Sequence, residues 1–329
     1  MKFLFFTDTH IRGTSPRNRK DNFYETLKKK FENVRQIAEE NQVDYILHGG
    51  DWFDRPDISP AVVRDFAVII KSFGRTIYSV AGNHDLYGCN PDTISRTMLG
   101  LLDGVDILYI LKNQEKIILE DSETRVQLTG SSYNYDLDGE NYRQYYIVKK
   151  DSNVDFAINL VHGMLLDKPF VEGVNYTLLE NIFETEADIT LTGHYHSGFG
   201  VKKIGAKYFI NPGSLVRIAN TISELSRRPK VILMSLSKTI NIKEVYLSSA
   251  PPGEEVFDRA FAEAQKNKKL QLEEFYNTLA GSRDDGVVDL NSIIERIAGS
   301  SGVSHEIRAE AIRRIEAAKE SLFLGDDEV

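Results

Sequence analysis

The chain has 329 residues, of which 41% are hydrophobic and 27% charged, and a formal net charge of −9. That balance belongs to a folded soluble protein and excludes a disordered or membrane-embedded class; the acidic total also argues against a protein that coats nucleic acid through a positive field, while leaving room for a local basic groove. The single cysteine, Cys89, permits neither an internal disulfide nor a thiolate metal site and suits a reducing cytoplasm.

Short apolar runs alternate with longer amphipathic ones through the first half, the pattern of β-α-β units around a mainly parallel or mixed sheet. Residues 2–6 read as a strand, and Asp8 and His10 interrupt that apolar run before it reaches the length of a signal-peptide core or a membrane span. Residues 22–41 carry Phe23, Leu27, Phe31, Val34 and Ala38 at helical spacing, 43–47 read as a buried strand, and 60–73 as a helix with Ser59 as N-cap and Pro60 at its first position. A strand at 76–81 and a helix at 90–102 follow, then strands at 107–110, 117–120 and 126–129 and a helical stretch at 142–150. Further strands are expected at 156–161, 189–192, 208–211, 231–235 and 240–247, which suits two stacked sheets flanked by helices.

Pro251, Pro252 and Gly253 break the pattern. The boundary therefore falls there, with a catalytic domain at 1–250 and a charged, helical region at 251–329. In the latter, Ile307, Ala311, Ile315, Ala318 and Leu322 form one apolar stripe behind Ser304 as a cap. Such a stripe either packs on its own domain or receives a partner.

Five segments, each at the end of an expected strand, gather most of the histidines together with carboxylates. They are Asp8-Thr9-His10, Gly50-Asp51-Trp52-Phe53-Asp54, Gly82-Asn83-His84-Asp85, Val161-His162-Gly163 and Gly193-His194-Tyr195-His196. Strand ends are where α/β folds place their ligands. On an extended strand end, Asp8 and His10 would point to one face and reach one ion, and so would His194 and His196. Carboxylate, imidazole and amide without thiolate suit a manganese, iron, zinc or magnesium-like ion.

This ordered set resembles the five-part signature of the calcineurin-like metallophosphoesterases, over roughly the first 250 residues. The resemblance implies a four-layer α/β/β/α fold and two divalent ions, manganese foremost with iron, zinc or magnesium as alternatives. It places Asp8, His10, Asp51 and His196 on one ion and Asp51, Asn83, His162 and His194 on the other, with Asp51 bridging. His84, whose side chain projects away from that of Asn83, is left for the departing oxygen as a general acid, a role suited to the ordinary pKa of histidine. Asp85 either orients His84 or serves as a turn or cap residue. His48 reads as a structural or supporting histidine, or else as a hydrogen-bond partner of a ligand or phosphate, Asp54 as a cap or buttress of its loop, Asn211-Pro212-Gly213-Ser214 as support behind the site, and Arg217 as a surface arginine or else a phosphate contact.

Within the superfamily, the Gly50–Asp54 motif followed by Pro56, Ser59 and Pro60, and the 211–215 segment followed by an arginine, are similar to the SbcD branch of DNA repair nucleases. So is the basic run Arg12, Arg17, Arg19 and Lys20, with Lys28 to Lys30 beyond it. That branch implies a manganese-dependent exonuclease and endonuclease acting on DNA, a homodimer, and an SbcC-type coiled-coil ATPase as partner, with no membrane involved. The region after Pro252 is shorter than that of cellular members and fits a compact version such as the phage recombination nucleases. A small-molecule phosphodiesterase or phosphatase stands as the alternative, and a noncatalytic scaffold that has lost its metals as a third reading, against which the complete ligand set speaks.

Overall fold

The computed structural model describes residues 1–257 except 17, 18, 172 and 219–221. The helices and apolar stripe expected between 258 and 329 lie outside the described residues. Strand β1 (Lys2–Phe6) shows why the chain forms two layers of sheet. Its alternate residues are apolar on both faces, with Phe3 and Phe5 in one cluster and Leu4 and Phe6 in another. A strand of period two that is apolar on both sides must be covered on both sides.

Beside β1 lie β2 (Tyr45–His48), β3 (Thr76–Ser79) and β4 (Tyr109–Ile110), all parallel. A second sheet is built from β5 (Lys116–Glu120), β6 (Arg125–Ser131), β7 (Phe156–Val161), β10 (Ile189–Thr192), β11 (Gly200–Ile204) and β12 (Lys207–Asn211). Between β7 and β10 in sequence, β8 (Leu165–Leu166) and β9 (Thr177–Leu178) form a small pair of their own. Two last strands, β13 (Lys230–Leu236) and β14 (Ile240–Tyr246), return antiparallel to the free edge of β1. The orders are β14-β13-β1-β2-β3-β4 and β11-β12-β10-β7-β6-β5.

Phe3, Phe5 and Leu47 of the first sheet share a buried cluster with Leu128, Ile158, Leu160, Ile189 and Leu191 of the second, so the sheets pack face to face. Helices α1 (Phe23–Glu40), α2 (Pro60–Lys71) and α3 (Met98–Gly104) cover the outer face of the first sheet. The one-turn α4 (Arg143–Tyr146), with Leu179 and Ile182, covers Val161 and Phe209 of the second. The result is the expected α/β/β/α sandwich. Phe31 of α1 touches the rings of Phe6, Phe66, Trp52 and Phe73, and burial of one such side chain is worth about 1.5–3 kcal/mol.

Two expected helices are shorter than their patterns. The 90–102 stretch breaks at Thr97, which is extended and caps Gly100 through its hydroxyl at 3.1 Å; only a 3₁₀ segment, Pro91–Arg96, precedes it. The 142–150 stretch keeps one turn because tertiary bonds capture the rest. The Val148 amide donates to Thr185 Oγ1 at 3.1 Å, and its carbonyl accepts from Glu186 at 2.8 Å. Beyond Pro252 the described chain bonds back to the N-terminal loop, with the Lys20 amide on the Val256 carbonyl at 2.9 Å.

Candidate metal centre

Strands β1, β2 and β3 run parallel in one sheet and β7 and β10 in the other, so the loops at their C-terminal ends gather the five motifs. The expected extended geometry at Asp8-x-His10 does not occur. β1 ends at Phe6, and Asp8 and His10 adopt φ of 54° and 42°, as Asp51 and His194 do at 55° and 72°. The loop must reverse sharply, and it is held by backbone bonds: the amides of Thr9 and His10 both donate to the Asp51 carbonyl, at 2.9 and 3.0 Å. His194 and His196 likewise do not point to one ion.

Instead the side chains form two groups that share one carboxylate. Asp8, His10, Asp51 and His196 make the first, and Asp51, His162 and His194 the second, with ligand-type atoms within 4.8 Å of one another in each. The Nε2 atoms of His10 and His196 stand 3.0 Å apart, and His196 Nε2 lies 3.4 Å from Asp8 Oδ1. Oδ2 of Asp51 is 3.7 Å from His10 Nε2 and 3.4 Å from His162 Nε2. Asn83 joins the second group through Oδ1, 3.3 Å from His162 Nε2.

This arrangement fits cations. Asp51 Oδ2 is buried without a hydrogen-bond partner, an expensive state for a carboxylate oxygen unless something positive adjoins it. Around it converge imidazole nitrogens and carboxylates, the donor set of intermediate divalent metals. The surrounding groups fix the ligands' orientation. Thr7 Oγ1 donates to Asp8 Oδ2 at 2.6 Å, the His194 amide donates to both Asp8 oxygens, and Ser214 Oγ donates to the Asp8 carbonyl at 3.0 Å. The Gly49 carbonyl lies 2.6 Å from His162 Nδ1, which leaves Nε2 to face Asp51.

The charges divide accordingly. Burial would raise Asp8, but the hydrogen bond and charge of His196 hold it well below the ordinary carboxylate range. Asp51 is likewise held low against burial, chiefly by His162. Burial lowers His10 to about 3 and, with the charge of His162, His194 to about 4. For His162 burial acts downward, but Asp51 outweighs it and the pKa rises to about 9; Asp8 raises His196 in the same way.

Around these groups the structure separates support from exposure. His84 is exposed, its Nδ1 3.0 Å from the Asp54 carbonyl and its amide on Asp51 Oδ1 at 2.9 Å. Asp85 does not touch the His84 ring. It accepts from the amides of Trp52, Phe53 and Gly82, tying the Asp51 loop to the Asn83 turn, while burial and the charge of Asp51 push its pKa up to about 7. The turn reading of Asp85 therefore holds, and the orienting group for His84 is a backbone carbonyl. His48 is buried, stacks on Trp52 at 3.8 Å and accepts from the Gly50 amide. Asp54 pairs with Arg12 at 2.8 Å. Asn211 donates to the Gly193 carbonyl, behind His194.

Arg217 departs from expectation, being 2% exposed rather than a surface residue. Its guanidinium donates to the carbonyls of Arg227 and Pro251, which only a buried fork of donors satisfies. Two members of the basic run are internal, while Lys20 and Lys29 are exposed. Arg19 pairs with Asp21 and donates to the Arg217 carbonyl, and Lys30, fully buried, donates to the Leu215 carbonyl; Arg17 lies outside the described residues.

The calcineurin-like phosphoesterase family model matches residues 1–212, which contain every residue of both groups. Among solved structures, a dimetal phosphatase from Danio rerio is 10% identical, the match covering 76% of this chain and 98% of that one at a TM-score of 0.48. An archaeal phosphodiesterase is 15% identical over 75% and 100% of the two chains, with a TM-score of 0.37. The anchor in the inner membrane complex of Plasmodium is 16% identical over 76% and 86%, at 0.48. Among the described residues no helix is long and apolar enough to cross a membrane. With its sandwich fold, its paired ligand groups around Asp51 and a family match over 1–212, the chain belongs to the calcineurin-like phosphoesterases.

Proposed function

We propose that the chain is a two-metal phosphodiester hydrolase and, more narrowly, a manganese-dependent DNA exonuclease and endonuclease subunit. The observation that carries the hydrolase reading is the buried, unpartnered Oδ2 of Asp51 set between His10 and His162. Asp8, His10, Asp51 and His196 would hold one ion, and Asp51, Asn83, His162 and His194 the other. Bound there, two divalent ions supply an acidified water and Lewis-acid stabilisation of the charge that develops at phosphorus.

The chain's own part is orientation and proton transfer. Asp51 is held by two loops at once, through its carbonyl to Thr9 and His10 and through Oδ1 to the His84 amide. His84 donates its Nδ1 proton to the Asp54 carbonyl, which leaves Nε2 for the departing oxygen; with the ring as imidazolium, Nε2 would give that oxygen its proton and Nδ1 would keep its bond to Asp54.

The DNA reading is supported by the likeness of the Gly50–Asp54 and 211–215 segments to the SbcD branch, which also supports a homodimer, a coiled-coil ATPase partner and a cytoplasmic setting. The second reading, a small-molecule phosphodiesterase, is favoured by the internal engagement of Arg19 and Lys30, which removes them from any DNA-facing surface. The test is manganese-dependent hydrolysis of end-labelled duplex and single-stranded DNA beside cyclic and mononucleotides, with His84→Asn as control. DNA cleavage that falls by about 10²–10⁴-fold in the variant while metal binding persists is the expected result. Turnover of small phosphodiesters alone would overturn the nuclease reading and keep the hydrolase.

A further inference from the structure

Tyr133 follows β6, and its amide donates to the Ala81 carbonyl at 2.9 Å, just ahead of the turn that carries Asn83 and His84. Its ring centroid lies 5.4 Å from that of His194 and 6.2 Å from that of His162, so the phenol rests on the second ligand group. The ring is only partly buried, and its hydroxyl has no hydrogen-bond partner among the described residues. Nor is that oxygen one of the buried unsatisfied atoms, so it faces solvent. A tyrosine kept only to prop two imidazoles has no use for an open hydroxyl, and a phenylalanine would pack as well.

His84 stands at the other end of the paired groups. Its ring lies 4.8 Å from that of His10, which belongs to the first group alone. His84 thus neighbours a ligand of the first group, and Tyr133 neighbours two ligands of the second. The departing oxygen is met by His84, so Tyr133, beside the second group, is left to meet a substituent that remains on phosphorus. A phosphomonoester has no such substituent, and a phosphodiester always has one. Tyr135 donates its hydroxyl to the Gly88 carbonyl at 2.9 Å, which ties the segment after Tyr133 to the loop after His84.

We infer that Tyr133 is a specificity-determining residue whose phenol receives the retained nucleoside of a phosphodiester, the ring as a stacking surface and the hydroxyl as a hydrogen-bond donor. Aromatic stacking of this kind accepts any base, because every base offers a π-face. The inference rests on the phosphodiester reading and deepens it by naming a nucleoside as the retained group.

Three substrates with one leaving group isolate it: thymidine 5′-p-nitrophenyl phosphate, methyl p-nitrophenyl phosphate and p-nitrophenyl phosphate. The first retains a nucleoside, the second a methyl ester and the third nothing, while the departing p-nitrophenolate is constant. In Tyr133→Ala, kcat/KM for the thymidine ester is expected to fall by about tenfold or more, mainly through KM, relative to the methyl ester, as loss of one stacking contact predicts. Tyr133→Phe should lose less than Tyr133→Ala, about two- to threefold, the share of one weak hydrogen bond. Manganese affinity by calorimetry should match wild type in both variants. An equal loss on all three substrates would mean that the ring only supports His162 and His194, and an undiminished thymidine preference would mean that the nucleoside binds elsewhere; either result overturns the inference. If the wild-type protein turns over the monoester alone, the phosphodiester reading has failed first, and that outcome is distinct from both.

Discussion

Replacing Gly82 by alanine adds a single methyl group at the closest approach of the two loops that hold the centre. Gly82 has φ of −90°, so alanine meets no conformational penalty there and any effect is steric. Built on the backbone, the new carbon would stand 2.0 Å from Asp51 Oδ1, 2.4 Å from the Asp51 nitrogen and 2.6 Å from its Cγ. Ordinary contact begins at 3.4 Å, so the carboxylate must retreat by about 1.4 Å. Asp51 cannot move alone, because its carbonyl holds the amides of Thr9 and His10 and its Oδ1 holds that of His84. Overpacking of this kind costs about 1–3 kcal/mol of stability, and a displacement of about 1 Å in a catalytic group costs roughly 10²-fold in rate. The assays are urea denaturation, manganese titration calorimetry and hydrolysis of bis-p-nitrophenyl phosphate. Gly104→Ala is the control, since nothing lies within 4 Å of its new carbon and alanine suits the end of α3. If Gly82→Ala bound metal and turned over within about threefold of wild type, the claim that the loops position Asp51 through backbone contact would be refuted.

Other outcomes follow from the same geometry. Asp85→Ala strands the buried amides of Trp52, Phe53 and Gly82, at about 1–3 kcal/mol for each group left unsatisfied and not fully additive; urea denaturation should show a loss of several kcal/mol, with weakened metal binding because the Asp51 loop is released. Arg217→Ala leaves the carbonyls of Arg227 and Pro251 unpaired, so a stability loss of about 3 kcal/mol is expected with the metal ligands themselves untouched; a loss within about 0.5 kcal/mol, the scatter of surface changes, would contradict its buried role. His162 holds a proton in the metal-free protein up to about pH 9, and a metal must displace it. Metal affinity should therefore rise by about tenfold per pH unit below pH 9, and calorimetry in buffers of different ionisation enthalpy should count one more proton released by wild type than by His162→Asn. The sign also runs through folding. A raised histidine pKa stabilises the metal-free fold fully below its ordinary value of 6.5, and that contribution disappears as pH climbs through 9.

Much of the sandwich was legible because its strands are apolar on both faces and punctuated by turn residues. Residues 156–161 and 189–192 emerge as β7 and β10 with unchanged ends. Edge strand β11, partly exposed along its length, carries no such run and went unread, as did the two-residue β8 and β9. The ligand-type residues were legible through their motifs, since histidines and carboxylates after buried strands have few other uses. What sequence could not supply is the part played by backbone. The carbonyls that orient His84 and His162 belong to Asp54 and Gly49, and a carbonyl leaves no trace in residue identity. The burial of Arg217 is hidden for a related reason: its partners are main-chain oxygens supplied by Arg227 and Pro251, distant in sequence. Tyr133 had only its aromatic character as a signal, and strands end in tyrosine for many reasons.

The left-handed turns at Asp8, His10, Asp51 and His194 have a consequence for adaptation. A non-glycine residue in that region costs about 1–3 kcal/mol and persists only where its surroundings over-determine it. His10 adds to this a buried Nδ1 without a partner. In the metal-free chain these positions oppose the fold that carries them, so stability and activity pull in opposite directions at the same residues. Selection for heat resistance alone would act to relieve these turns, whereas selection for turnover must keep the strained histidine and recover the deficit in the core between the sheets.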